Sequence, residues 1–373
     1  MNSNRLRWMA RGALIPVLAI FTALLVGGII IWLAGPKFTG DWLGLRFVWD
    51  GYAGLLAGAF GTRGAVIGTL VRATPYIFAG LAVALAFRCG LFNIGAEGQL
   101  LIGALGAAGV GFILSGLPAV IHLPLTLLGG MAGGFLWGAI PGFLKARTGA
   151  HEVITTIMLN YIAAQIGSYL LGGPWKDPNP LNVVAQTPRI AEAARLPQIV
   201  PGLHWGVVLA LVVAVGVWYF LWKTTWGFEI RTVGASSAAA AYAGMGVSRN
   251  VVLAMALSGM LAGLAGAVQV AGVNYRSSIG FNIGYGFDSI AIALLGKNTV
   301  LGVVLSSILF AALRNGATQM QFRTQISADI ISVIQALILI FIAAEQIIRW
   351  LYRVRASSGL GEQATLSRGW GKS

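Results

Sequence analysis

The sequence has little cysteine, histidine or charge. One cysteine, Cys89, occurs in 373 residues, which excludes a disulfide framework and a cysteine-rich metal cluster. The three histidines (His122, His151 and His204) stand far apart and form no metal-ligand spacing. Charged residues make up only 10% of the chain, whereas 57% of it is hydrophobic. This balance excludes an ordinary soluble domain.

Catalytic and energy-converting motifs are also missing. The chain has no HExxH or GxSxG, and the GKN at 296–298 lacks the glycine and the hydroxyl residue of a phosphate-binding loop. A membrane chain without such machinery fits a secondary transporter or one subunit of a pumped transporter, with an intramembrane enzyme as a third class. We therefore expect no catalytic residue, no metal site and no cofactor in this chain.

The net charge of +14 is compatible with nucleic-acid binding, but its distribution is not. The basic residues stand mostly at the ends of apolar segments, as Lys145, Arg147 and Arg349 do. This is the positive-inside pattern of a cytoplasmic membrane protein. We expect both termini in the cytoplasm, a multi-pass protein of the bacterial inner membrane, the lipid bilayer as its surroundings and no nucleic-acid partner.

The apolar runs predict an all-α polytopic membrane protein with about ten helical segments, some of them broken or re-entrant. Residues 13–34 are long enough to cross a bilayer and lack a cleavage site, so we interpret them as a retained first helix. Other crossings are expected at 75–87, 100–114, 125–144, 151–171, 204–222, 251–272 and 328–348, with a short surface helix at 51–70 and a broken hairpin at 285–315.

These runs also predict the domain organisation. We expect a cytoplasmic N-terminus over 1–12, a transmembrane domain over 13–355 and a disordered cytoplasmic tail over 356–373. Two polar stretches interrupt the transmembrane domain. Residues 172–203 are expected to form an external loop, and residues 224–250 a cytoplasmic segment.

The stretch RCGLFNIGAEGQ at 88–99 lies between two apolar runs yet contains Asn93, Glu97 and Gln99. Its three glycines permit backbone geometry that a regular helix does not use. Irregular polar backbone at membrane depth persists only where it is buried in protein or lines a watery cavity. Two interpretations remain open: a broken helix on a transport route, and a tight cytoplasmic turn in which Glu97 and Gln99 cap the next helix.

Polar residues in two further apolar runs need a role, because ionisable groups in a bilayer are costly. Glu152, Thr156 and Asn160 share one helix face, which indicates a bundle interior or cavity wall. The alternative is that Glu152 caps its helix near the cytoplasm. Phe287 and Asp288 either shape a polar ligand route with a stacking surface or, for Asp288, cap the entering helix.

The cytoplasmic segment contains a helix of small residues at 236–242, flanked by Gly234 and Gly244. Such a small apolar knob requires a groove on another protein, or else lies flat in the membrane interface. The surrounding sequence, GFEIRTVGASSAAAAYAGM, resembles the coupling loop of permease subunits of bacterial ABC importers in the branched-chain amino acid and monosaccharide permease superfamily. The positions that fit that loop's pattern are Gly227, Arg231, Gly234, Ala239, Ala240 and Gly244.

Three more stretches are similar to the nucleoside-importer branch, in its longer permease type: LFNIGAEGQ at 91–99, HEVITTIMLNYIA at 151–163 and GYGFDSIAIALLGKN at 284–298. The resemblance implies half of a translocation pathway for nucleosides, purine nucleosides foremost. It implies three partners: a cytoplasmic ABC ATPase that binds ATP and Mg²⁺, a second permease in a heterodimer and an extracytoplasmic substrate-binding protein. A monosaccharide or amino-acid permease and an ion-coupled transporter remain alternatives.

The resemblance also implies two groups of functional residues. Candidates for the substrate pathway are Asn93, Glu97, Gln99, Glu152, Thr156, Asn160, Phe287 and Asp288. Candidates for coupling to the ATPase are Gly227, Glu229, Arg231, Gly234, Ala239, Ala240 and Gly244.

Overall fold

The computed structural model describes residues 3–34, 45–179, 184–280 and 284–353. These residues are mostly helical, and their two strands, β1 (Gln198–Val200) and β2 (Leu203–His204), form one small antiparallel pair. The predicted all-α class is confirmed, whereas the tail predicted at 356–373 lies outside the described residues. The helices are α1 (Ser3–Ala34), α2 (Leu45–Phe60), α3 (Arg63–Arg88), α4 (Ala96–Ile113), α5 (Ala119–Thr148), α6 (Glu152–Gly172), α7 (Gly206–Lys223), α8 (Thr225–Ala235), α9 (Ser237–Tyr242), α10 (Val247–Gln269), α11 (Tyr285–Leu295), α12 (Val300–Thr324), α13 (Ile330–Ala343) and α14 (Glu345–Leu351).

Membrane-spanning length is common among these helices. In the described part of the chain, 8 helices are long and apolar enough to cross a membrane. The number is 9 if α13 and α14, which meet at a bend of 85°, together form one span. The short apolar helix α11 adds one further segment. The prediction of a polytopic membrane protein with broken helices is thus confirmed.

Helix α3 differs from its predicted boundaries. We expected a surface helix at 51–70 and a crossing that starts at Pro75, but α3 runs without a break from Arg63 through Pro75 to Arg88. The first part of 51–70 belongs to α2 instead. Proline is tolerated inside membrane helices because neighbouring groups satisfy the backbone acceptor that it leaves. The proline was therefore a wrong signal for a helix start.

The chain divides into two compact units, and the smaller comprises residues 1–72 and 308–362. Within it, α1 packs on α13, and Asn315 of α12 ties the turn between α2 and α3. The Asn315 Nδ2 donates to the Gly58 oxygen at 3.0 Å and to the Ala65 oxygen at 2.9 Å. The half-buried Asn315 amide thereby ties the last turn of α2 to the first turn of α3.

The larger unit comprises residues 73–307 and is centred on α4, α5 and α10. These helices meet through glycines. A Cβ on Gly259 of α10 would lie 2.2 Å from the oxygen of Gly134 in α5, and one on Gly103 of α4 would lie 2.2 Å from the Gly263 Cα. Small residues four apart permit such backbone contact between membrane helices. We call this contact the glycine seam.

Valine in place of Gly259 is expected to lower the thermal stability of the protein. The added side chain would overlap the backbone of α5, and overpacking of this kind costs about 1–3 kcal/mol or more. Gly216→Val is the matched control, because Gly216 of α7 has no atom within 4 Å of an added Cβ. The measurement is the unfolding midpoint in detergent, and equal midpoints for both variants would contradict the close contact.

The external stretch predicted at 172–203 packs against the segment that follows α10. The Thr187 N–H donates to the Ser277 oxygen at 2.9 Å, and the Ile190 N–H donates to the Tyr275 oxygen at 2.9 Å. Burial lowers the pKa of His204, which follows this stretch. Residues 184–203 thus pack on the segment that follows α10, a contact that their weak periodicity did not indicate.

Candidate functional site

The stretch 88–99 forms a buried, irregular link between two membrane helices. Helix α3 ends at Arg88, the chain turns at Gly90 with φ 74°, and α4 begins at Ala96. Asn93 and Gln99 are each only 1% exposed. The link is therefore enclosed in protein, as polar backbone at membrane depth requires.

Asn93 lies at the centre of a hydrogen-bond network. Its Nδ2 donates to the Gln99 Oε1 at 2.8 Å and to the Ser258 Oγ at 2.8 Å. Its Oδ1 accepts from the Gly95 N–H at 2.9 Å, and the Ser258 hydroxyl donates to the Ala82 oxygen at 2.7 Å. The network joins α3, α4 and α10, and a satisfied buried network of this kind fixes one backbone conformation.

The polar face of α6 supports the same link. The Asn160 Oδ1 accepts from the Gly98 N–H at 2.8 Å, and its Nδ2 donates to the Ile94 oxygen at 2.9 Å. Glu152 pairs instead with Lys145 at 2.6 Å, and Thr156 donates to the Glu152 oxygen at 2.7 Å. The predicted face thus lies against the link: Asn160 binds it, Thr156 packs on Gly95, and Glu152 also joins the ends of α5 and α6.

Glu97 connects the first turn of α4 to the start of α11. Its carboxylate accepts from the Gly286 N–H at 2.6 Å and from the Gly284 N–H at 3.3 Å. The capping role that we considered for Glu97 is thus directed at α11, far away in sequence. A Cβ on Gly286 would lie 2.2 Å from the Glu97 nitrogen. Two helix N-termini therefore meet at one carboxylate, an arrangement that helix dipoles favour.

Aromatic and acidic side chains surround this meeting point. The Tyr76 hydroxyl donates to the Asp288 Oδ2 at 2.7 Å, and the Tyr76 and Tyr285 rings meet edge to face at 4.9 Å. Phe287 presents its ring outward and is 51% exposed. We call the set Tyr76, Asn93, Glu97, Gln99, Asn160, Gly286 and Asp288 the helix junction.

The helix junction combines the starts of α4 and α11 with the interiors of α3 and α6. At a rise of about 1.5 Å per residue, Asn160 lies about 12 Å from the start of α6, Tyr76 about 18 Å from Arg88, and Gly286 about 15 Å from Gly296. Tyr76 and Asn160 therefore lie in the interior of helices that are long and apolar enough to cross a membrane. In the described ranges, no three His, Cys, Asp or Glu side chains are grouped to hold a metal ion.

The cytoplasmic segment predicted at 224–250 consists of α8, α9 and the start of α10. The close backbone contacts of this segment explain two of the glycines that fit the coupling-loop pattern. A Cβ on Gly227 would lie 2.0 Å from the Phe220 oxygen, and one on Gly234 would lie 2.2 Å from the Arg88 oxygen. Gly244 adopts φ 78°, a conformation that favours glycine. At each of these three positions, a side chain would meet backbone atoms or a positive φ, so the local structure favours glycine.

Of the other residues predicted to couple to the ATPase, some bind neighbouring parts of the chain and others lie at the surface. The Arg231 Nε donates to the Leu221 oxygen at 2.8 Å, and Glu229 accepts from the Asn250 Nδ2 at 2.8 Å. Ala240 is buried on the inner face of α9, whereas Ala239 is exposed and Tyr242 is 97% exposed. Helix α9 is thus a protruding knob on a fixed base.

Comparison with known proteins decides the family. Residues 65–343, which include both the helix junction and the segment 224–250, match the family described as the permease component of the branched-chain amino acid transport system. The chain belongs to this permease family. It is therefore a transport subunit of an ABC transporter and a multi-pass protein of the bacterial inner membrane, as its sequence motifs predict. A permease of such an importer works with an ATPase and a substrate-binding protein.

Three relatives align with nearly the whole permease. It is 42% identical to the guanosine ABC transporter permease protein NupP of Bacillus subtilis, over 91% of this chain and 95% of the relative. It is 37% identical to a glucose ABC transporter permease protein of Haloferax volcanii, over 93% of this chain and 90% of the relative. The nucleoside ABC transporter permease protein NupB of Lactococcus lactis is 33% identical, over 96% of this chain and 98% of the relative.

Sequence reasoning missed three residues of the permease that shape the helix junction: Tyr76, Ser258 and Gly286. Tyr76 and Ser258 are single polar side chains in apolar runs, and this isolation was the available signal, because each needs a buried partner. Gly286 had no comparable signal, since its small size matters only beside Glu97.

Proposed function

We propose that this permease forms half of a membrane pathway for nucleosides, with purine nucleosides foremost. The observation that carries the proposal is the exposed Phe287 ring on α11 next to the Asp288 carboxylate. A nucleoside combines a flat base, which stacks on an aromatic ring, with sugar hydroxyls, which donate to carboxylates. The guanosine and nucleoside transport in the names of two relatives supports this class.

The predicted pathway residues take different roles in this proposal. Phe287 faces the solute, and the half-buried Asp288 carboxylate, which the Tyr76 hydroxyl holds in place, borders it. Glu97 positions α11 through its hydrogen bonds to backbone N–H groups. Asn93, Gln99 and Asn160 are already hydrogen-bonded to the protein, so they hold the pathway wall in shape. Glu152 and Thr156 stabilise the cytoplasmic end of that wall.

The exposed surface of α9 and the family support the partners in this proposal. The ATPase would grip α9, whose exposed alanines and Tyr242 form a small apolar knob. It would also bind the ATP and Mg²⁺ of the transport cycle. A second permease would complete the pathway as a heterodimer, and an extracytoplasmic binding protein would deliver the nucleoside.

The deciding experiment is uptake of labelled guanosine by cells that co-express the permease, the second permease, the ATPase and the binding protein. We expect ATP-dependent uptake that unlabelled adenosine inhibits and glucose does not. Inhibition by glucose alone would favour a monosaccharide permease, as the Haloferax volcanii relative is named. Gradient-driven uptake by the purified chain in liposomes would instead identify a secondary transporter.

Alanine in place of Phe287 is expected to raise the KM for guanosine about tenfold, because stacking of a base on an aromatic ring contributes about 1–3 kcal/mol. Phe287→Trp keeps a stacking surface and should retain a KM near that of the wild type. Phe322→Ala is the control, since Phe322 is a comparably exposed phenylalanine on α12. Initial uptake rates at several guanosine concentrations give the KM, and an unchanged value would refute the stacking role.

A further inference from the structure

Arg88 begins the stretch 88–99, and neither predicted group of functional residues includes it. Its Nε donates to the main-chain oxygen of Asn298 at 3.0 Å, and Asn298 lies in the turn between α11 and α12. The same guanidinium lies 5.7 Å from the centre of the Trp222 ring, near the end of α7. Arg88 thus contacts both the hairpin of α11 and α12 and the chain that enters the cytoplasmic segment.

Trp222 is shared by two arginines. Arg231, which belongs to α8, lies 4.2 Å from the Trp222 ring centre and donates its Nε to the neighbouring Leu221 oxygen. A guanidinium over an indole face is attracted by the ring quadrupole. Arg231, Trp222 and Arg88 therefore form a continuous series of contacts from α8 to the hairpin.

A backbone contact runs beside this series. An added Cβ on Gly234, in the last turn of α8, would lie 2.2 Å from the Arg88 oxygen, so the two main chains touch. Because backbone atoms cannot step aside as a flexible side chain can, a displacement of α8 also displaces the chain at Arg88.

The hairpin end of the series is compact. Lys297 and Asn298 have φ 50° and 52°, and a Cβ on Gly302 of α12 would lie 2.2 Å from the Gly296 oxygen. A turn this tightly packed moves together with α11. The opposite end of α11 carries Gly286, whose N–H binds Glu97 in the helix junction.

We propose that Arg88 is a positioning residue that transmits displacement of α8 to the hairpin and, through α11, to the helix junction. It acts through Trp222 and Asn298 and touches no solute. This inference rests on the proposed function, because it takes α8 and α9 as the docking segment of the ATPase and α11 as part of the pathway. Arg88 would then set how much transport each ATP hydrolysis produces.

The test uses the complete transporter in nanodiscs and measures ATP molecules hydrolysed per solute molecule transported. Arg88→Gln is expected to raise this ratio about tenfold, with basal ATPase activity within about twofold of the wild type, because it weakens the coupling between two sites and leaves both in place. The matched control is Arg147→Gln, since Arg147 also lies over an aromatic ring, 5.8 Å from the Phe143 ring centre in its own helix α5. An unchanged ratio for Arg88→Gln overturns the proposal.

A purely structural role for Arg88 gives a different result: less assembled complex with an unchanged ratio, which also overturns the proposal. Should Arg88→Gln yield too little complex, Trp222→Leu replaces it, because Trp222 is 46% exposed and its loss removes the ring between the two arginines. The ratio of ATP hydrolysed to solute transported is expected to rise about threefold in this variant, because both cation–π contacts of Trp222 are lost.

A double variant tests whether the contacts form one series. Arg88→Gln combined with Arg231→Gln should raise the ratio no further than the larger single effect, whereas additive effects would contradict a common series. The ratio is measured with whichever solute the wild type transports. A wild type that carries another solute would thus refute the nucleoside proposal and still allow a result on Arg88.

Discussion

Alanine in place of Glu97 is expected to lower guanosine uptake about 100-fold while the complex still assembles. The carboxylate accepts hydrogen bonds from the N–H groups of Gly284 and Gly286 at the start of α11. Each backbone donor left unpaired in the protein interior costs about 1–3 kcal/mol. Since 1.4 kcal/mol corresponds to about a tenfold change in an equilibrium constant, the loss of two acceptors strongly depopulates the positioned form of α11. Initial rates of labelled guanosine uptake provide the measurement.

Two further variants bracket this result. Glu97→Gln retains one acceptor oxygen, so its uptake should fall only about tenfold. Glu192→Ala is the control, because the Glu192 side chain is 90% exposed and its ion pair with Arg195 lies at the surface, where such pairs contribute little. Wild-type uptake by Glu97→Ala would show that transport does not depend on this contact.

Even a single methyl group at Gly234 is expected to reduce ATP-driven uptake about tenfold or more, and glutamate at this position should abolish it. The nearest atoms to an added Cβ belong to the backbone of Arg88 and Cys89, with the Arg88 oxygen at 2.2 Å. Accommodation therefore requires a shift of α8 itself. The measurement combines uptake with the amount of permease inserted in the membrane, which should stay near that of the wild type.

The matched control for this prediction lies in the same segment. Gly246→Ala adds the same methyl group, but its nearest neighbour would be the Arg249 Cβ at 3.5 Å, an ordinary contact distance. We expect this variant to transport normally. Normal uptake by Gly234→Glu would exclude a role of the α8 base in coupling.

The membrane helices were predictable because each one is a long apolar run. Runs such as 13–34 and 151–171 needed no knowledge of their neighbours, since bilayer thickness alone sets the required length. Pro75 misled because its effect depends on surroundings: in water it ends helices, whereas α3 continues through it. The residues around Pro75 do not show whether neighbouring helices can satisfy the backbone group that the proline leaves without a partner.

The helix junction was predictable only in part. Polar residues in apolar runs identified Glu97, Asn160 and Asp288, because such residues are costly in lipid and need a partner. Their partners come from distant parts of the chain, however: Glu97 binds Gly286, and Asp288 binds Tyr76. Sequence spacing contains no information about contacts over such separations, so the sequence left the choice between capping and pathway roles open. The structure shows Glu97 as an acceptor at the start of α11, and its pathway role stays a prediction.

The glycine seam has a consequence for how the permease moves. Helices α5 and α10 touch through the backbones of Gly134, Gly259 and Gly263. Glycine has no side chain that could change rotamer and let one helix slide past the other. Close-packed contacts of this kind transmit motion without absorbing it. We therefore expect α4, α5 and α10 to move as one rigid body during transport. Rearrangements that open the pathway should then occur where this body meets the short helix α11.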